Sequence, residues 1–233
     1  MRKEPYGIGS YVHVIKRGTR GLPIVHDKDD RRRFLLMLRH FNDTHQPSDW
    51  FQDVRNEKLE DTLERPERWP TQNKLVNILT FCLLDNHFHL LLKETREGGI
   101  SIFMQRLGTG LARYYNEKYQ QQGSIFQGSY RSKTIHDTNY LKSVSAYIQV
   151  KNAFEMFPGG YEKAKNNFDK AFTWALEYPY CSLGNYAGNL SSPIIDGDVL
   201  QEIIHSKEYK KFSKEFVEGR RPAEVANDEI PFE

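Results

Sequence analysis

The sequence predicts an α+β fold: a ferredoxin-like, RRM-like βαββαβ antiparallel sheet with helices on one face, followed by a mostly helical C-terminal extension. Three observations carry this expectation. Short β-branched and aromatic runs alternate with amphipathic helical stripes in that order. Asp85-Asn86 offers a tight turn between the second and third runs, as a hairpin needs. The other connections are long enough to carry crossover helices, which suits the split βαβ arrangement.

Taken in order, Tyr11 to Gly18 mixes β-branched and aromatic residues and stops at glycine, the mark of a first strand. Asp27-Lys28-Asp29-Asp30 supplies N-cap chemistry and an acidic first turn, and Phe34, Leu38 and Phe41, with Leu35 and Met37 beside them, give the next helix its apolar stripe. Residues 43–74 are charged and contain Pro47, Pro66 and Pro70, which predicts an inserted loop with a short helix near 52–64. Leu75 to Leu84 is a nearly unbroken apolar run, too short and too β-rich for a helix, and His87 to Leu92 resumes as its hairpin partner. Gly98-Gly99 breaks the chain, and Ser101 can cap a helix carrying Phe103, Leu107, Leu111 and Tyr114, in which Gly108 and Gly110 weaken the helix but permit close packing. Ser124 to His136 reads as a loop and a short strand, and Thr138 as the cap of a helix burying Leu141, Val144, Tyr147 and Ile148. The first domain is expected over residues 1–151, and an extension with an acidic tail over 152–233, where prolines and glycines recur.

Among 233 residues, 33 Lys and Arg face 31 Asp and Glu, a balance of +2 that hides a segmental pattern. Residues 1–40 carry +6, 41–92 carry −4, 93–151 carry +5 and 152–233 carry −5. A polyanion responds to such local patches within about a Debye length, so the small total does not exclude a nucleic-acid partner. Two cysteines make neither a disulfide framework nor a metal knuckle and point to a reducing compartment. Mean hydropathy is −0.70, no apolar run approaches a membrane span, and the start opens no apolar signal region, so a cytoplasmic location is expected.

Side chains at i and i+2 of a strand share a face, so His87 and His89 present two imidazoles together. Such a pair can hold one divalent cation, or it can be a structural or solvent-facing pair. By spacing alone, Tyr147 is a half-buried packing residue on its helical stripe.

Four segments, taken in chain order, resemble the single-tyrosine HUH transposases, and among them the REP-associated tyrosine transposase (IS200-like) branch. Phe81 to Leu92 is similar to that family's strand bearing two histidines around one hydrophobic residue; Leu84-Asp85 stands where Met-Pro is common, while Asn86 and both histidines match. Gly123 to Lys133 resembles its segment around a Phe-Gln pair, Tyr140 to Ile148 its tyrosine helix, and Tyr178 to Tyr186 a segment of the REP-associated branch. The resemblance implies a transposase that cleaves and rejoins single-stranded or hairpin DNA through a 5′-phosphotyrosine. It makes Tyr147 the nucleophile, with Tyr140 and Tyr130 the competitors, and His87 and His89 the ligands of Mg²⁺ or Mn²⁺. One departure stands out: Lys151 occupies the position where this branch carries an Asn one turn beyond the tyrosine. Gln149 or Asn152 can offer an oxygen to the cation instead, and Lys151 can hold a phosphate as a point charge.

Phosphate contacts are expected from Lys16, Arg17, Arg20, Arg131, Lys133 and Lys151, and base stacking from Tyr114, Tyr115 and Tyr130. The alternative is a non-catalytic DNA-hairpin-binding protein derived from a transposase. An RNA-recognition sheet lacks its strand signature here, and a metal-dependent hydrolase lacks nearby carboxylates beyond Asp85 and Glu94. The oligomeric expectation is a monomer or a homodimer.

Overall fold

The computed structural model describes residues 6–204 and 206–219, without the side chains of Thr138, Asn139, Ser206 and Lys207; the acidic tail expected beyond them lies outside the described residues. Four strands, β1 (Tyr11–Arg17), β2 (Val76–Leu83), β3 (His87–Glu94) and β4 (Arg131–Ile135), form one sheet in the order β2-β3-β1-β4. Every neighbouring pair is antiparallel, which is the split βαβ topology expected. The Asp85-Asn86 turn closes the hairpin, where the Leu84 N–H donates to the His87 carbonyl at 2.9 Å.

Alternation along the strands sorts the side chains into two cores. Val12 and Val14 of β1 and Phe88, Leu90 and Leu92 of β3 pack under α1 (Lys28–His40) and α3 (Gly99–Tyr119). Each such fully buried Val, Leu or Phe contributes about 1.5–3 kcal/mol through burial. α1 starts as the sequence predicts: Asp27 accepts from the Asp30 N–H at 3.0 Å, and the Asp30 carboxylate accepts back from the Asp27 N–H, a capping box. α3 begins at Gly99 rather than at Ser101, because Gly98 takes the left-handed turn (φ 69°) that admits the chain into the helix. A Cβ at Gly110 would collide with the Phe41 ring of α1, so the close packing of these helices requires a glycine there.

The sequence predicts helices on one face, but the opposite face of the sheet is covered as well, because α4 (Thr138–Ala146) and the extension pack there. Leu79, Cys82, Leu91 and Ile135 pack against α4, whose residues Leu141 and Val144 are buried. Asp137 caps α4 by accepting from the Tyr140 N–H at 3.2 Å, one residue before the cap position expected at Thr138, whose side chain is not described. The same core continues through the extension, into Phe154, Phe168, Phe172, Leu200 and Tyr209.

The segment Tyr178 to Tyr186 runs along the outer edge of β2. The Leu83 N–H donates to the Tyr180 carbonyl at 2.9 Å and the Ser182 N–H to the Phe81 carbonyl at 3.0 Å, while the Tyr186 hydroxyl donates to the Leu79 carbonyl at 2.7 Å beside the β2 bulge. These contacts satisfy an edge that would otherwise be open to other chains. Within the 43–74 segment, the helix α2 (Trp50–Asn56) falls slightly earlier than expected, and Leu36, Val54 and Trp69 form a small core of their own. The Arg31-Arg32-Arg33 run of α1 is half-buried. Arg33 lies over the Phe51 ring at 3.0 Å and Arg31 pairs with Asp85, so the run holds α2 and the β2–β3 turn against α1.

Candidate active site

Strand register decides which side chains meet on the α4 side of the sheet. Arg17 lies opposite His87, Ile15 opposite His89 and His13 opposite Leu91. On the other flank of β1, Arg131 lies opposite Ile15 and Lys133 opposite His13. Antiparallel partners point to the same face, so His13, His87, His89, Arg17, Arg131 and Lys133 share one surface.

Across that surface lies the end of α4, which widens after Ala146 into a π-helical turn, Tyr147–Lys151, before α5 (Asn152–Glu155). The Tyr147 carbonyl accepts from the Asn152 N–H, a five-residue step. The Tyr147 ring stands edge-on to His89 with centroids 5.4 Å apart and edge-on to His13 at 5.9 Å. His87 and His89 are themselves edge to face at 5.0 Å. Lys151 places its Nζ over the Tyr147 ring, 4.9 Å from the centroid. The competing tyrosines have other surroundings: Tyr140 lies beneath the Lys133 ammonium, and the Tyr130 hydroxyl bonds that of Tyr6 at 2.8 Å.

The imidazoles are held neutral. Burial, then the charges of Arg17 and Lys151, pull His87 down to about 4 from its ordinary 6.5. Burial, then His13, His87, Arg17 and Lys151, holds His89 well below that ordinary value. Burial and the Lys133 charge bring His13 to about 3. His87 is 8 % exposed whereas His89 and His13 are 1 % exposed, so solvent reaches the group from the His87 side, where Arg17 is exposed.

His87 is oriented by its neighbour in sequence. The Asn86 Nδ2 donates to the Gly21 carbonyl at 3.1 Å, which turns Asn86 Oδ1 towards His87 Nδ1 at 2.6 Å. An amide oxygen accepts, so His87 carries its proton on Nδ1 and keeps a lone pair on Nε2. Gln149 is fully buried, and among the described residues neither its Oε1 nor its Nε2 has a hydrogen-bond partner. Two neutral imidazoles are donors of the kind a divalent cation takes, although among the described residues no three His, Cys, Asp or Glu side chains gather as a metal cluster. The residues therefore fit Mg²⁺ or Mn²⁺ with few protein ligands, and the nitrogen donors make Mn²⁺ the better match.

Beside the histidines, Ile15, Arg17, Gln127, Gly128, Ser129 and Arg131 line a cleft of about 300 Å³. Arg20 is exposed on the turn that holds Asn86. Lys16 is not brought to this surface: alternation sends it to the α3 side, over Phe126 at 4.6 Å, with its ammonium donating to the Gly128 carbonyl at 3.1 Å. Tyr114 and Tyr115 are likewise remote, bonded to Asp30 and His26 at the far end of α3. The residue that sequence reasoning missed is His13. Its signal was a single polar residue inside Val12-His13-Val14-Ile15, in a strand whose other interior positions are apolar.

Comparison with known proteins bears on three of the four segments, Phe81 to Leu92, Gly123 to Lys133 and Tyr140 to Ile148. The family model described as "Transposase IS200 like" matches residues 51–151, a stretch that includes His87, His89, Tyr147 and Lys151. No curated protein matches the chain. A solved structure titled as a REP-associated tyrosine transposase bound to a REP hairpin is 13% identical, covers 85% of this chain and 92% of that one, and has a TM-score of 0.43. Among the described residues, no helix is long and apolar enough to cross a membrane.

Proposed function

We propose, from the match of residues 51–151 to the IS200-like transposases, that this protein is a metal-dependent single-tyrosine DNA transposase acting on single-stranded or hairpin DNA. The observation that carries the reading is the Tyr147 ring edge-on to His89, from a helix far from that strand in sequence. The Tyr147 oxygen forms a bond to phosphorus as the bond to the 3′ oxygen breaks. The proton lost by the phenol balances the one gained by the departing 3′-hydroxyl. One phosphoester replaces another, so the 5′-phosphotyrosine can be resealed by a 3′-hydroxyl without a further energy source.

His87 and His89, with Gln149 as the candidate third ligand, would hold Mg²⁺ or Mn²⁺, which would supply Lewis-acid polarisation of a nonbridging phosphate oxygen. Asn86 keeps the His87 lone pair available. Lys151, beside the nucleophile, offers a point charge to the reacting phosphate. Arg17 and Arg131 neutralise phosphates of the strand in the adjoining cleft, Lys133 does so further along β4, and Arg20 does so beyond Arg17. Burial of Tyr147 limits the access of water to the phosphotyrosine.

Incubation with labelled DNA hairpins and Mn²⁺ should give a protein–DNA adduct that survives denaturing electrophoresis. Tyr147→Phe should abolish the adduct, and an undiminished band in that variant would refute the assignment. Lys151 favours a second reading, a hairpin-binding protein that does not cut, because an ammonium stands where the family's Asn is expected. Hairpin retention in a mobility-shift assay with no adduct from the wild type would establish that reading.

A further inference from the structure

We infer that His13 is a positioning residue that accepts the Nδ1–H of His89 and so holds that imidazole in the tautomer whose Nε2 keeps its lone pair. The inference rests on the reading of His87 and His89 as cation ligands. His13 Nε2 and His89 Nδ1 are 2.9 Å apart. With the ring planes 22° apart and the centroids 5.1 Å apart, the two imidazoles lie nearly edge to edge, the alignment an N–H···N bond requires.

One proton lies between the two rings, and its position fixes both tautomers. If His13 donates, His89 carries its proton on Nε2 and cannot coordinate through that atom. If His89 donates, its Nε2 is open and His13 carries its own proton on Nδ1. The second arrangement matches what Asn86 does for His87, where an acceptor on Nδ1 leaves Nε2 open. Both members of the pair then have the outer partner that ligating histidines usually have, one from the preceding residue and one from the neighbouring strand.

Position supports the assignment. His13 sits in the interior of β1 at 1 % exposure, where an aliphatic side chain would leave no polar group to satisfy. Its ring also meets the edge of Tyr147, so a single residue contacts both the histidine pair and the tyrosine.

The test uses the full-length protein and two readouts. Mn²⁺ titration followed by electron paramagnetic resonance should show roughly 10- to 100-fold weaker binding in His13→Ala, the usual effect of losing an outer partner. His13→Gln, which restores an amide oxygen as acceptor, should recover most of that affinity. If the alanine variant does not fold, His13→Leu, which fills the space without an acceptor, should show the same loss. Long-range ¹H–¹⁵N correlation spectra without metal should find His89 protonated on Nδ1. Wild-type affinity in a folded His13→Ala or His13→Leu variant, or a His89 protonated on Nε2, overturns the inference. A wild type that takes up no Mn²⁺ overturns the ligand reading instead, and the tautomer of His89 then decides the role of His13 by itself.

Discussion

Lys151 is the side chain whose charge bears most directly on the proposed site. Its ammonium lies 4.9 Å from the centre of the Tyr147 ring, and its charge helps to hold His87 and His89 neutral. The same charge opposes a divalent cation on those imidazoles while favouring a phosphate. Lys151→Asn removes the repulsion and supplies an amide oxygen, so Mn²⁺ affinity should rise by roughly tenfold, the size of one partly screened charge contact. Hairpin affinity should fall at the same time. Calorimetric titration of Mn²⁺ into the two proteins measures the first effect and a mobility shift the second. An unchanged Mn²⁺ affinity would remove Lys151 from the cation's surroundings.

At the level of elements, the site depends on how helices are seated against the sheet. α4 ends at Ala146, and the π turn that follows sets Tyr147 beside His89 and Lys151 over its ring. The Tyr178–Tyr186 segment keeps β2 closed on its outer edge and ties the extension to the strand that pairs with β3. On the far face, α1 and α3 approach so closely at Gly110 that a methyl group there meets the Phe41 ring. Gly110→Ala improves intrinsic helix propensity by about 1 kcal/mol but overpacks the contact, at a cost of about 1–3 kcal/mol. The variant should therefore be no more stable than wild type, and destabilised by up to about 2 kcal/mol, in urea unfolding. A clear gain in midpoint would mean that Phe41 yields without cost.

The molecule as a whole brings its two basic segments together. β1 and β4 belong to the +6 and +5 stretches and pair directly, which sets Arg17, Arg131 and Lys133 on one face. Part of the acidic surplus of the extension is spent elsewhere, with Asp198 pairing with Lys93 at 2.8 Å and Asp196 pairing with Lys74. Buried histidines tie stability to pH. His13 and His40 are depressed to about 3 and His87 to about 4, against an ordinary 6.5. As pH falls below about 6.5, the unfolded chain takes up protons that the folded chain refuses, so stability is full above that point and declines towards pH 4. Each such histidine steepens the decline by up to about 1.4 kcal/mol per pH unit. Urea midpoints should fall steeply from pH 7 to pH 4. A flat profile over that window would show that these imidazoles titrate normally.

The order of the elements along the chain, the capping box at Asp27 and the shared face of His87 and His89 were legible in the sequence, because each is set by residues within a few positions of one another. The start of α3 at Gly99 and the cap at Asp137 were read less well, since backbone conformation and neighbouring segments decide them. Lys16 and Arg17 are adjacent in sequence, yet alternation sends them to opposite faces, and only the placement of the helices says which face holds the site. His13 carried no spacing relation to the histidine pair at all. By itself, then, the sequence determined the α+β order, the paired imidazoles and the family resemblance, all of which are local periodicity or local strings. Tertiary structure alone decided that His13, Tyr147 and Lys151 meet them, because strand register and the seating of the π turn are fixed by packing between residues distant along the chain.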